Sequence, residues 1–118
     1  MSRPHPRRRK PAPPGRVQVV CTGRGKHSLV KLRLLQLARD GDTVRLLWDS
    51  RQGPAPVAAR RADGTQTFVL RCGTCRRHLE TGEAELVKAA LALAEHQGVR
   101  DDDNTPVVMD LAVLAAVI

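Results

Sequence analysis

Tyrosine is absent from this sequence of 118 residues, and Trp48 and Phe68 are its only other aromatic side chains. A platform that stacks the bases of single-stranded nucleic acid needs more than that, so the composition argues against that class. The core has to be built from Leu, Val and Ala instead. Acid is absent from the first 39 residues, which hold eleven Lys or Arg; from Asp40 onward nine basic residues face twelve acidic ones. The net charge of +8 therefore originates in the N-terminal third. No apolar segment follows the basic start as it would in a signal peptide, because the chain passes straight into Pro11-Ala12-Pro13-Pro14-Gly15. The apolar stretch 105–118 is too short to span a bilayer and contains Asp110. A soluble, cytoplasmic protein with no membrane partner is the expectation. Cysteine is scarce and odd in number, three, which argues against a disulfide framework and for thiols used as thiols. No nucleophile has a local base, no paired carboxylates flank a loop, and Gly23-x-Gly25 is too short for a phosphate-binding fingerprint. Neither enzymatic activity nor a small-molecule substrate is expected.

What is present divides into a tail and one domain. In residues 1–16, Pro4, Pro6, Pro11, Pro13 and Pro14 alternate with Arg7, Arg8, Arg9 and Lys10. Too little apolar surface exists there to offset the entropy of ordering, so a disordered basic tail is expected. Residues 17–118 are expected to form a single α+β domain, zinc-ribbon-like, in which β-hairpins link two ligand-bearing turns and are followed by a helix and a C-terminal strand. The run 17–21 is β-prone and ends in a glycine loop, 22–27. Over 29–37, Val30, Leu32 and Leu34 alternate with Lys31 and Arg33, the period of a half-buried strand; a helix with Leu32, Leu35 and Ala38 on one face is the alternative. Asp40-Gly41-Asp42 is a hairpin signal before a strand carrying Val44, Leu46 and Trp48, and Asp63-Gly64 is a second one between 57–61 and 66–71. After a loop 49–56, these segments lead to a helix with Thr81 as N-cap, Glu83 and Glu85 in the first turn, and Gly98 as terminator. Leu86, Ala90, Leu93 and Ala94 form its apolar stripe, with Val87 beside it. An acidic loop over 100–104 and a strand over 106–114 should close the domain, with a short helix over 111–117 as the competing reading.

The sharpest motif is Cys72-Gly73-Thr74-Cys75. Two thiolates three residues apart on a turn can both reach one ion at about 2.3 Å. The alternative, a redox pair, requires a helix N-terminus in a thioredoxin-like βαβ unit, whereas the preceding segments here read as hairpins. Cys21 supplies a third thiol, also at a strand end before a glycine loop, and His27 follows within that loop. Cys21, His27, Cys72 and Cys75 make a Cys₃His set that suits tetrahedral zinc. His78 is the other candidate for the fourth position; two ligands from each turn favour His27. His5 and His96 have no place in the site. A full set of four protein ligands leaves no open position for water, so the expected cofactor is a structural Zn²⁺.

Cys21-x-x-Arg24-Gly25-x-His27, then hairpins, Cys-x-x-Cys, a helix and a strand with Asp110-Leu111 resembles a group of small uncharacterised zinc-ribbon-like proteins of actinobacteria and their phages. The resemblance covers residues 17–114 and implies the fold and the metal, with no activity attached. One departure is that knuckles of this kind commonly carry Gly after the second cysteine, where this chain has Arg76. Two partners are compatible with the pattern. The basic arm Arg7, Arg8, Arg9 and Lys10 and the loop cations Arg24 and Lys26, extended by Lys31 and Arg33 and by Arg60, Arg61, Arg76 and Arg77, suit the backbone of DNA. A zinc ribbon can instead serve as a rigid protein–protein interaction module, an adaptor or phage or host accessory protein, in which the acidic helix face and Asp101-Asp102-Asp103 would matter more.

Overall fold

The structure, a computed structural model, describes residues 15–99 and 105–117. Most of the expected tail, with Arg7 to Lys10, and the acidic loop 100–104 lie outside the described residues. The elements in chain order are β1 (Arg16–Cys21), β2 (Val30–Asp40), β3 (Thr43–Trp48), β4 (Val57–Arg60), β5 (Gln66–Arg71), β6 (His78–Gly82), α1 (Glu83–Gln97), β7 (Val107–Asp110) and α2 (Leu111–Val117). The class is α+β, with seven strands in two sheets and one main helix. A four-stranded sheet has the order β3-β2-β1-β7, with β7 parallel to β1 and the other pairs antiparallel; the second sheet is the meander β4-β5-β6. No helix among the described residues is long and apolar enough to cross a membrane.

Both expected hairpin turns form. Gly41 (φ 64°) lies between β2 and β3 and Gly64 (φ 89°) between β4 and β5, each in the left-handed region that a tight reversal needs. The segment after the first glycine loop is a strand, not the alternative helix, and it is longer than the expected 29–37. Its inward face also differs from the simple alternation. Val19 pairs with Arg33 but Val20 pairs with Lys31, so Leu32 is the extra residue of a bulge. The bulge switches the phase, and the fully buried side chains become Leu35 and Leu37 while Leu34 stays half-buried. The side-chain amide of Gln18 donates to the carbonyl of Arg33 at 3.0 Å beside this irregularity.

Two further expectations are corrected. Residues 78–82 form β6, paired along its length with β5, so Thr81 is a buried strand residue and not the helix cap. Gly82 holds the N-cap position, and its N–H donates to the Glu85 carboxylate at 3.3 Å. The side chain that would have capped the helix is drawn into the interior by sheet pairing. The segment 106–114 is not one strand: β7 takes its first half and α2 its second. Asp110 accounts for the switch, because its carboxylate accepts from the Ala112 N–H at 3.1 Å, as a helix-capping aspartate does.

Helix α1 ends as expected at Gly98, in the left-handed conformation, with Leu86, Val87, Ala90 and Ala94 buried and Leu93 partly so. Both of its terminal residues clamp the four-stranded sheet. Glu83 accepts from the Leu46 N–H on edge strand β3 at 3.0 Å and pairs with Arg45 at 2.6 Å. At the other end, the Gln97 side-chain amide accepts from the Val108 N–H (3.1 Å) and donates to the Val108 carbonyl (2.8 Å), capping edge strand β7. The helix thus ties both sheet edges and covers backbone groups that would otherwise invite pairing with another chain. Beneath it lie Val17, Val19, Leu35, Leu46, Val107 and Met109, continuous with Cys21 of β1 and with Leu70 and Cys72 on the side of the second sheet.

Candidate metal centre

Cys21 is the last residue of β1, and Cys72 directly follows β5, so each sheet delivers one cysteine into a turn. The first turn is tight because Gly23, Arg24 and Gly25 are all left-handed, at φ 60°, 59° and 87°. The Thr22 carbonyl closes it by accepting from the N–H groups of Gly25 (3.0 Å) and His27 (3.4 Å). In the second turn the Cys72 carbonyl accepts from Arg76 N–H and the Cys72 N–H donates to the Arg77 carbonyl, both at 2.8 Å. Arg76 adopts φ 62°, so the turn keeps left-handed geometry although the residue is not glycine.

The ligand atoms of Cys21, His27, Cys72 and Cys75 all lie within 4.8 Å of one another. Cys21 Sγ is 3.7 Å from Cys75 Sγ, and His27 Nε2 is 3.8 Å from both Cys21 Sγ and Cys72 Sγ. A tetrahedron with metal–sulfur distances of about 2.3 Å has edges of about 3.8 Å. A disulfide would bring the sulfurs to about 2.05 Å, and all three cysteines are free. The His27 ring is oriented for metal ligation. Its Nδ1 lies 2.8 Å from the Ser28 carbonyl, to which it donates, leaving Nε2 with a free lone pair toward the sulfurs. Gly23 makes room for that ring, since a Cβ there would lie 2.5 Å from His27 Cδ2.

Burial separates the three thiols. Cys21 and Cys72 are buried and Cys75 is exposed. Burial pushes the Cys21 thiol up to about 11, against the opposing pull of the Gly23 N–H. Cys72 is held below the ordinary thiol value chiefly by the Cys75 N–H, with the Thr74 N–H assisting, and Cys75 chiefly by the N–H of Arg77. Amides directed at sulfur stabilise thiolate, the form that binds metal.

The four residues that the sequence singles out as ligands are thus brought together. His78, the other candidate, lies elsewhere, exposed on β6 opposite Arg71. Arg24 and Lys26 are exposed on the first turn. Missed by the sequence reading is the support beneath that turn: Thr22 Oγ1 donates to Asp110 Oδ2 at 2.6 Å, and the Thr22 N–H reaches Oδ1 at 3.4 Å. Burial works against the Asp110 charge, but these bonds and that from Ala112 outweigh it and hold the carboxyl below the ordinary aspartate value. The one available signal was an aspartate immediately before an apolar run, a helix-start pattern. Among the described residues, this is the only group of three or more such side chains placed to share an ion. No protein-family model matches the chain, and neither does any curated protein or solved structure.

Proposed function

We propose that the chain is a small non-enzymatic binding protein, stabilised by one structural zinc ion, that contacts the backbone of DNA through its basic N-terminal arm and first ligand turn. The convergence of Cys21, His27, Cys72 and Cys75 to within 4.8 Å carries the reading. Three thiolates and one imidazole in tetrahedral proportion suit zinc better than harder ions that prefer oxygen. Four protein ligands fill the shell, so the ion would contribute folding free energy and no reactive water. The zinc-ribbon-like reading is supported by two turns that follow strands of different sheets and would be joined through one ion. The cations Arg7, Arg8, Arg9 and Lys10 of the arm, with Arg24 and Lys26 of the turn, support the choice of partner.

Metal quantification on the purified chain tests the first part. One zinc per chain, lost in Cys72→Ser and His27→Ala and retained in His78→Ala, is expected; stoichiometric zinc in Cys72→Ser would remove the site. A protein–protein module is the competing reading, favoured by an apolar groove of about 500 Å³ that Ala89, Ala92, Leu93 and Val113 line between α1 and α2. Affinity for duplex DNA that falls steeply with salt supports the first reading. A specific protein partner, with no DNA retention near physiological salt, would support the second.

A further inference from the structure

Left-handed backbone is unfavourable for L residues other than glycine. Among the described residues two such positions occur, and both are arginine: Arg24 and Arg76. Arg24 sits between Cys21 and His27, and Arg76 directly follows Cys75, so each ligand turn carries one. Both are exposed. Glycine would adopt either conformation without strain, and the first turn uses it at both neighbours of Arg24. An arginine kept where glycine fits better points to a use for its side chain.

Sheet pairing gathers other cations at the same end. Lys26 belongs to the first turn, Lys31 pairs with Val20 next to Cys21, and Arg71 immediately precedes Cys72. None of these residues, nor Arg24 or Arg76, forms an ion pair with an acidic side chain among the described residues. Away from the metal centre, Arg45, Arg51 and Arg61 are each paired with a carboxylate. The carboxylate that reaches the first turn, Asp110, is already taken up by Thr22 and Ala112.

We infer that the two ligand turns form one composite surface for the phosphodiester backbone of duplex DNA, anchored by Arg24 and Arg76 and flanked by Lys26, Lys31 and Arg71. The inference rests on the nucleic-acid reading above and changes its geometry, because the second turn supplies about half of the contact. Guanidinium groups match phosphate in a bidentate manner. Duplex is the form that fits, since neither aromatic is offered to an unpaired base: Trp48 packs against Phe68 with ring planes tilted by 46° and centroids 4.9 Å apart, and the Arg33 guanidinium lies over the Trp48 ring.

The test uses the full chain and the variants Arg24→Gly and Arg76→Gly, singly and together. Glycine relieves the left-handed strain, so zinc content should be retained and the thermal midpoint should equal or exceed that of the parent. Binding to a short random-sequence duplex is followed by fluorescence anisotropy over a salt series. Each single variant should weaken binding about fivefold, and the pair should lower the slope of log K against log salt by about 2. Lys88→Gln, at an exposed position of α1, is the control and should change affinity less than twofold. If the glycine pair binds like the parent while Arg7, Arg8, Arg9 and Lys10 changed to Gln abolish binding, the composite surface is wrong and the nucleic-acid reading stands. An equal loss in Lys88→Gln also overturns the composite surface. A parent chain without salt-dependent affinity for the duplex overturns both.

Discussion

The two sheets differ in how they are held. In the four-stranded sheet, β1 buries Val17, Val19, Val20 and Cys21, its neighbours add Leu35, Leu37, Leu46, Val107 and Met109, and both edges are clamped by the ends of α1. In the three-stranded sheet, β4 is exposed along its whole length, and β5 and β6 bury only Thr67, Phe68, Leu70, Thr81 and Gly82. Leu70 and Cys72 carry the common core into the second sheet, and the rest of its attachment to the first is a set of discrete links. They are the cysteine–histidine cluster, the Trp48–Phe68 contact, and the Arg33 side chain donating to the carbonyls of Gly53 and Pro54 at 3.1 Å. A sheet with a thin core depends on a cross-link; a sheet with a continuous apolar layer depends on packing.

Breaking the cross-link should therefore have the largest and most lopsided effect. Cys72→Ser, or chelation of the parent, is expected to lose the metal and to accelerate amide hydrogen exchange in β5 and β6 well before β1 and β2; uniform acceleration in both sheets would erase the contrast. Next in size, Leu35→Ala should cost about 2–5 kcal/mol in denaturant unfolding, because it opens a cavity in the packed sheet. Its counterpart Val57→Ala, at a side chain 49% exposed in β4, should stay within about 0.5 kcal/mol. Gly23→Ala combines a left-handed φ with a Cβ 2.5 Å from the His27 ring, and zinc competition should show affinity lowered about 10- to 100-fold, the range found when support of a ligand is removed.

The smallest effect is expected at the edge clamp. Glu83→Gln weakens the bonds to Arg45 and Leu46 and should cost about 1 kcal/mol. Burial opposes the Glu83 charge, but the Arg45 guanidinium and the Leu46 N–H outweigh it and hold the carboxyl below the ordinary glutamate value; Arg61 and the Gly82 N–H do the same for Glu85. Depressed carboxyl groups stabilise the fold above their unfolded value, about 4.3, and that contribution is lost as pH falls through the folded values. The thermal midpoint should thus fall on acidification below about pH 4.3, and less so in Glu83→Gln. An unchanged acid sensitivity would show that the clamp contributes nothing.

The parts of the fold that sequence reading recovered share one property: each is written within a few residues. The turns at Gly41 and Gly64, the α1 stripe with its Gly98 terminator, and the two cysteine turns are of this kind. Where it failed, a distant partner decided the outcome. β6 exists because β5 lies beside it, and that pairing takes Thr81 away from the helix start. The inward face of β2 depends on a bulge that only the register with β1 reveals.

The metal centre follows the same division. The sequence by itself determined the ligand types, the glycine loop after Cys21 and the stop after α1, because backbone conformation and side-chain chemistry act locally. Tertiary structure decided that His27 and not His78 faces the sulfurs. It also set Cys21 against Cys75 across 54 positions and Thr22 against Asp110 across 88. Those contacts are fixed by how two sheets and a helix pack, and packing depends on the whole chain at once.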